Sequence, residues 1–98
     1  MSVVLVPQES DWLIRMNGQV TLASAVELKA ALCEWLAAGK NLELDLESVE
    51  EIDLTILQLL WAASREAGDR RMQVAGRSEA VVNAVRAAGF EQMAVFSA

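Results

Sequence analysis

The 98-residue chain is predicted to form one α/β domain over residues 1–98, with the element order ββαβαβαβ. Three apolar stretches with helical spacing each end at an Ala-Gly pair, and short strand-like segments lie between them. Such alternation is typical of a mostly parallel mixed sheet joined by right-handed crossovers. The third strand alternates strictly between apolar and acidic residues. This predicts helices mainly on one face, because strands covered on both faces are continuously apolar.

The first three strands are expected in the N-terminal half. The run 3–6 is rich in β-branched residues and stops at Pro7, and the segment 12–16 follows after a polar turn. The two are close enough in sequence to pair as a hairpin. In the third strand, residues 42–46, the leucines should face the helices while Glu43 and Asp45 face the other side.

The first helix is predicted to bury one apolar face and to end at Gly39. Its start is marked by Thr21 or Ser24, and Ser24 with Glu27 is typical of a capping box. Cys33 lies beside the apolar face, where a half-buried packing thiol is favoured over a nucleophile because no basic partner is near. The residues predicted on that face are Ala25, Leu28, Leu32, Trp35 and Leu36.

The third helix is predicted to begin at Ser78, with Phe90 making the apolar contact that often follows a C-terminal glycine such as Gly89. It should bury Val81, Val82 and Val85. The segments 72–75 and 93–96 are the weaker strand candidates. The step Gly76-Arg77-Ser78 could hold a phosphate at the helix N-terminus. A plain turn is the better interpretation, because the step has neither a Gly-rich loop nor a Lys.

The composition excludes several classes of function. The chain has no His, which excludes Ser-His-Asp and Cys-His catalysis and the usual zinc sites. A net charge of −6 argues against binding to nucleic acid or to an anionic membrane. One Cys cannot form an internal disulfide, so a reducing, cytoplasmic location is expected. The apolar runs are too short to span a bilayer and the N-terminus is not typical of a signal peptide.

The second helix carries the most information. Asp53 precedes it and is expected to cap it, its carboxylate accepting hydrogen bonds from the first free N–H groups. Apolar residues surround most of the helix, so Thr55 is predicted to lie exposed on the first turn. Ile56, Leu57 and Trp61 flank the polar stripe, and partial exposure is expected for some of them. The stripe consists of Thr55, Gln58, Ala62, Arg65 and Asp69.

The segment 44–55, Leu-Asp-Leu-Glu-Ser-Val-Glu-Glu-Ile-Asp-Leu-Thr, resembles the central signature of the STAS domain. Three further segments match the family in order and spacing, at residues 16–18, 74–78 and 88–90. The family includes anti-sigma factor antagonists, C-terminal domains of sulfate transporters and the small subunit of a bacterial lipid-transport system. The resemblance covers nearly the whole chain and agrees with the predicted element order.

This resemblance implies a non-enzymatic signalling module, in a partner-switching or chemotaxis-associated pathway. Thr55 occupies the position at which an anti-sigma factor kinase, a serine/threonine kinase, phosphorylates partner-switching members. The family's first Ser is replaced by Leu54, its Gly by Ile56, and the acid that often follows the second strand by Thr21. The predicted partner-binding residues are Asp53, Leu54, Thr55, Ile56, Leu57, Gln58 and Trp61.

Two alternatives stay open at this stage. The chain could instead be a constitutive subunit of a membrane transport complex, of the lipid-transport type, with the second helix packed permanently on an ATPase. The apolar excess on that helix also makes a homodimer possible. No cofactor and no metal are expected. The acidic residues between 43 and 53 lack the spacing of a calcium loop and are interpreted as a solvated rim.

Overall fold

The computed structural model describes residues 3–91 and confirms the α/β class. The elements are β1 (Val3–Val6), β2 (Asp11–Val20), α1 (Ala25–Ala38), β3 (Asn41–Ile52), α2 (Leu54–Glu66), β4 (Met72–Arg77) and α3 (Glu79–Ala88). A short 3₁₀ turn, Leu22–Ser24, joins β2 to α1. The strand predicted at 93–96 lies outside the described residues.

The four described strands form one mixed sheet in the order β1-β2-β3-β4. β1 and β2 form the predicted antiparallel hairpin, and the pairs β2–β3 and β3–β4 are parallel. Their register aligns Leu5, Ile14, Leu44 and Val74 in one row across the sheet. This row lies on the face that the helices cover, since Ile14 and Leu44 are completely buried.

The opposite face of the sheet is open, as the alternation in the third strand predicted. Leu42, Leu44 and Leu46 are buried, whereas Glu43 is exposed. Between the helices and the sheet, the largest completely buried side chain is Trp35 of α1. Its indole N–H donates to the backbone carbonyl of Lys40 at 2.6 Å. The buried face of the sheet and the apolar faces of the helices therefore form one core.

β2 and β3 are longer than the sequence pattern predicted. The two strands stay paired as far as Val20 and Ile52, with irregularities of register between Arg15 and Asn17 and between Gly18 and Gln19. Such irregularities shift which side chains face the core, so the polar–apolar alternation is interrupted after Leu46. The extension carries both strands to the start of α2.

The N-terminal helix ends agree with the sequence pattern in α3 but not in α1. Ser78 accepts the N–H of Val81 at 3.2 Å, and the N–H of Phe90 donates to the carbonyl of Val85 at 2.9 Å beyond Gly89. The capping box predicted at α1 is not formed. Ser24 is buried at the end of the 3₁₀ turn with near-helical dihedrals (φ −90°, ψ −6°), and its side chain makes no capping hydrogen bond. The chain already turns before α1 begins, so Ser24 lacks the extended conformation of an N-cap.

Cys33 was predicted to be half-buried, and this is wrong: it is exposed. The buried side chains of α1 are Leu28, Ala31, Leu32 and Trp35. Cys33 lies outside the narrow stripe that these residues form, at 100° per residue around the helix. Val82 of α3, also predicted in the core, is only half-buried.

Candidate functional site

The second helix begins where two neighbouring strands end together. Val20 and Ile52 are the last register pair of β2 and β3. The backbone N–H of the next residue, Asp53, donates to the carbonyl of Val20 at 3.2 Å. The start of α2 is therefore held against the C-terminal end of β2, from which the chain continues through the 3₁₀ turn to α1.

Asp53 occupies the N-cap position of α2 but does not cap it with its side chain. Its backbone is extended (φ −87°, ψ 155°) and its carbonyl accepts the N–H groups of Ile56 and Leu57, at 3.0 and 3.3 Å. The predicted bonds from these free N–H groups to the carboxylate are absent. Instead, Asp53 Oδ2 accepts the backbone N–H of Leu22 at 2.9 Å. The carboxylate thus joins α2 to the 3₁₀ turn, which lies beside it.

Thr55 lies exposed on the first turn of α2, as the sequence predicted. Three later residues of the predicted stripe, Gln58, Ala62 and Arg65, are exposed on the same helix. Asp69 is exposed too, but it lies in the turn beyond the helix end at Glu66.

Two of the predicted partner-binding residues face the core instead of solvent. Ile56 and Leu57 are 0% and 1% exposed. Leu54 and Trp61, in contrast, are 52% and 36% exposed. Residues separated by seven positions share a helix face, so these two side chains lie on one side of α2 with Gln58 between them. We call the residues Asp53, Leu54, Thr55, Gln58 and Trp61 the α2 surface.

Trp61 is held in place by its own helix. The guanidinium carbon of Arg65 lies 5.1 Å from the centroid of the indole ring, within the range of a cation–π contact. A partly exposed indole that already rests against Arg65 loses less conformational entropy on binding, which suits it to a protein interface.

Two exposed apolar residues outside α2 were not predicted from the sequence, and one of them lies next to this surface. Leu22, on the 3₁₀ turn, is 66% exposed, and Val26, on the first turn of α1, is 79% exposed. The bond from Leu22 to Asp53 brings the turn to the start of α2. A sequence signal existed, because both residues are large and apolar but lie off the predicted buried face of α1.

An open apolar groove of about 350 Å³ separates α2 from α3. Leu54 and Leu57 line one side of it, and alanines of α3 line the other: Ala84, Ala87 and Ala88. The short alanine side chains leave this space open. Leu54 therefore borders both the groove and the exposed face of α2.

Acidic side chains lead towards the α2 surface along β3. Glu47, Glu50 and Glu51 are exposed, and Asp45 forms an ion pair with Arg15 at 3.1 Å on the open face of the sheet. Within residues 3–91, no cluster of three or more acidic or Cys side chains has the arrangement needed to hold a metal ion. Helices long and apolar enough to cross a bilayer are likewise not found in this part of the chain.

The step Gly76-Arg77-Ser78 does not form a separate loop. Gly76 and Arg77 belong to β4, and the Ser78 hydroxyl accepts the N–H of Val81 at the start of α3. A Cβ on Gly76 would meet the side chain of Glu47, whose Oε2 would lie 3.4 Å away. An acidic neighbour is unfavourable to a bound phosphate.

Comparison with known proteins places this geometry in a family. A family model described as "Mlab, STAS domain" matches residues 5–95. Among solved structures, the chain is similar to an anti-sigma factor antagonist from Mycobacterium paratuberculosis, with a TM-score of 0.82. That alignment covers 93% of this chain and 80% of the other, at 19% sequence identity. No curated protein matches the sequence significantly.

Proposed function

Because the chain belongs to the STAS domain family, we propose that it is a regulatory protein-binding module whose partner docks on the α2 surface. The observation that carries the proposal is the position of Thr55, exposed on the first helical turn beside exposed Leu54 and two turns from Trp61. A hydroxyl that borders exposed apolar side chains is suited to binding in one state and release in another, because a charge added to it changes the adjoining surface.

The binding energy is assigned to Leu54 and Trp61. Large exposed apolar side chains gathered on one surface mark interaction sites, and Trp is enriched among the residues that dominate interface energies. Ile56 and Leu57 contribute indirectly, because their packing in the core holds α2 in the position that exposes Leu54 and Trp61. Leu22, which the bond to Asp53 brings to the start of α2, extends the same apolar area onto the 3₁₀ turn.

We assign the switch to phosphorylation of Thr55 by a serine/threonine kinase partner. A phosphate adds a charge of about −1.5 to −2 at neutral pH. At the helix N-terminus this charge is compatible with the fold, because the helix dipole favours an anion there. At a protein interface it would require desolvation next to Leu54, and it would stand beside the carboxylate of Asp53. Phosphorylation is therefore expected to release the partner without unfolding the domain.

The acidic residues Glu50 and Glu51, just before Asp53, favour a partner with basic groups around an apolar centre. Complementary charges at the rim of an interface mainly raise the association rate, and salt screens them. The proposal includes no catalysis by this chain, which has no His and carries its one Cys midway along α1.

The test of the switch uses the serine/threonine kinase encoded nearest the gene for this chain. The full chain is incubated with that kinase and ATP, and phosphate incorporation is located by mass spectrometry, with Thr55→Ala as the control. Phosphate on Thr55 and none on the variant supports the proposal. If the kinase neither phosphorylates nor binds the chain, the partner-switching function is wrong.

The constitutive transport subunit makes a different prediction for the same residue. If α2 packed permanently on a transporter ATPase, Thr55 would be a structural residue. Thr55→Ala and Thr55→Glu would then bind the ATPase equally well. Selective loss of binding in the Glu variant supports a switch.

A further inference from the structure

We propose that the edge strand β1, together with the groove between β1 and α1, binds an extended basic segment of a partner protein by strand addition. The site lies at the β1 edge of the sheet, and none of its lining residues belongs to the α2 surface. A test of this site is therefore independent of the function proposed for the α2 surface.

The first observation is the unprotected edge. Within residues 3–91, β1 pairs with β2 alone, so its other side presents backbone N–H and C=O groups without a strand partner. Natural edge strands are usually blocked by a charged side chain, a proline or a bulge. The four residues of β1 are Val-Val-Leu-Val, and Pro7 follows only after the strand has ended.

The second observation is a shallow groove of about 310 Å³ beside this edge. Its apolar lining consists of Val3, Leu5, Ala30 and Ala31, and its acidic lining of Glu27 and Glu34. In an added strand, every second side chain would point to this side of the sheet. The groove therefore offers an apolar floor with carboxylates for alternate side chains.

The two carboxylates beside the groove favour a basic segment as its ligand. Glu27 and Glu34 are both exposed, and they lie two helical turns apart on α1, about 10 Å along its axis. A Lys or Arg can lay its aliphatic stem on the alanines and reach a carboxylate with its charged end. The intervening residues of the segment would lie beside Val4, which is 41% exposed on the open face of the sheet. Alternating basic and β-branched residues match both faces.

The same charges argue against a second copy of this chain as the occupant. A symmetric pairing of two β1 edges would bring the Glu27 and Glu34 side chains of both copies to one interface. Like charges opposed across an interface are destabilising, and each copy carries a net charge of −6.

The test is an NMR titration of the full ¹⁵N-labelled chain with a seven-residue peptide of alternating Val and Lys. We expect saturable shifts of the amide signals of residues 3–6. A peptide with Glu in place of Lys, and one with Pro replacing the central Val, should bind at least about tenfold more weakly, because one loses the charge complementarity and the other the strand pairing.

Matched variants test the role of the carboxylates. Glu27→Gln combined with Glu34→Gln should weaken binding about threefold to tenfold, the range expected for two exposed ion pairs. Glu43→Gln combined with Glu79→Gln changes the net charge equally, on β3 and α3, and should leave the affinity within about twofold. The proposal is overturned if the Val-Lys peptide does not shift the β1 amides, or if both double variants bind alike. Sedimentation showing a dimer, together with hydrogen exchange showing that the dimer protects the β1 amides, would also overturn it, in favour of a second copy.

Discussion

Asp53 Oδ2 accepts the backbone N–H of Leu22 at 2.9 Å, across 31 positions of sequence. The bond joins the 3₁₀ turn after β2 to the first residue before α2. It also places Leu22, which is 66% exposed, next to the surface that carries Thr55. A single carboxylate thus connects two apolar parts of the candidate interface.

Replacing Asp53 should loosen this connection. Asp53→Ala removes the acceptor, so we expect faster hydrogen exchange at the Leu22 amide and a loss of about 1 kcal/mol in the free energy of unfolding. Asp53→Asn keeps an oxygen acceptor without the charge and should lose less. Exchange measured by NMR and urea unfolding followed by circular dichroism provide the two readouts.

Asp69→Ala is the matched control for this prediction, because it removes an exposed acid beyond the other end of α2. It should change the unfolding free energy by less than about 0.5 kcal/mol. Unchanged exchange at Leu22 in Asp53→Ala would show that the carboxylate does not hold the turn.

Trp61→Ala should separate binding from stability. Because this indole is 36% exposed, we expect the variant to lose about 1–2 kcal/mol of unfolding free energy, less than a completely buried Trp would cost. Its affinity for the partner should fall about tenfold or more, as for a Trp at the centre of an interface. Thermal unfolding and isothermal titration calorimetry measure the two effects.

Trp35→Phe is the opposite case and serves as the comparison. Trp35 is completely buried and donates to the carbonyl of Lys40 at 2.6 Å. The substitution should cost about 1–3 kcal/mol of stability, because it leaves a gap in the core and an unpaired carbonyl. The folded fraction should bind the partner normally. Loss of binding in Trp35→Phe alone would argue against the assignment to Trp61.

A negative charge at Thr55 should affect the interface and not the fold. We expect Thr55→Glu to keep the unfolding free energy within about 1 kcal/mol, or to raise it, because an acid in the first helical turn interacts favourably with the helix dipole. Thr55→Gln is the control, because the Gln side chain has nearly the same size as Glu and carries no charge. If the Glu variant binds more weakly than the Gln variant, and if this difference in affinity becomes smaller at high salt, charge is the cause. Equal affinities would indicate a purely steric effect.

The caps of α1 and α3 should respond differently to mutation. Ser78→Ala removes the acceptor for the Val81 N–H and should cost about 1 kcal/mol, whereas Ser78→Asp should retain most of the stability. Glu27→Ala should cost less than about 0.5 kcal/mol, since the capping box that would involve it is not formed. Chemical denaturation of the three variants checks the set, and a loss in Glu27→Ala as large as in Ser78→Ala would contradict it.

The sequence predicted the helices and their C-terminal ends well, because these depend on local chemistry. Gly39 and Gly89 adopt left-handed conformations (φ 72° and 76°) directly after α1 and α3. The exposure of Thr55 was also predictable, since a polar residue on an otherwise apolar helix turns to solvent. Each of these features is decided by residues within a few positions of one another.

The errors occurred where local chemistry allowed two outcomes. The pair Ser24 and Glu27 has the pattern of a capping box, but the 3₁₀ turn before α1 gives Ser24 near-helical dihedrals. Asp53 has the pattern of a side-chain cap, but its carboxylate instead accepts a hydrogen bond from the backbone N–H of Leu22. In both cases a segment outside the local pattern changes the hydrogen-bonding partner.

The sequence by itself determined the α/β order, the face of the third strand that is buried, and an exposed Thr at the start of an apolar helix. Only the tertiary structure decided which apolar residues of that helix are available to a partner. On a helix that is apolar on most sides, periodicity cannot tell the side that meets the sheet from the side that meets solvent. The paired ends of β2 and β3 fix the rotation of α2, so that Ile56 and Leu57 enter the core while Leu54 and Trp61 remain exposed.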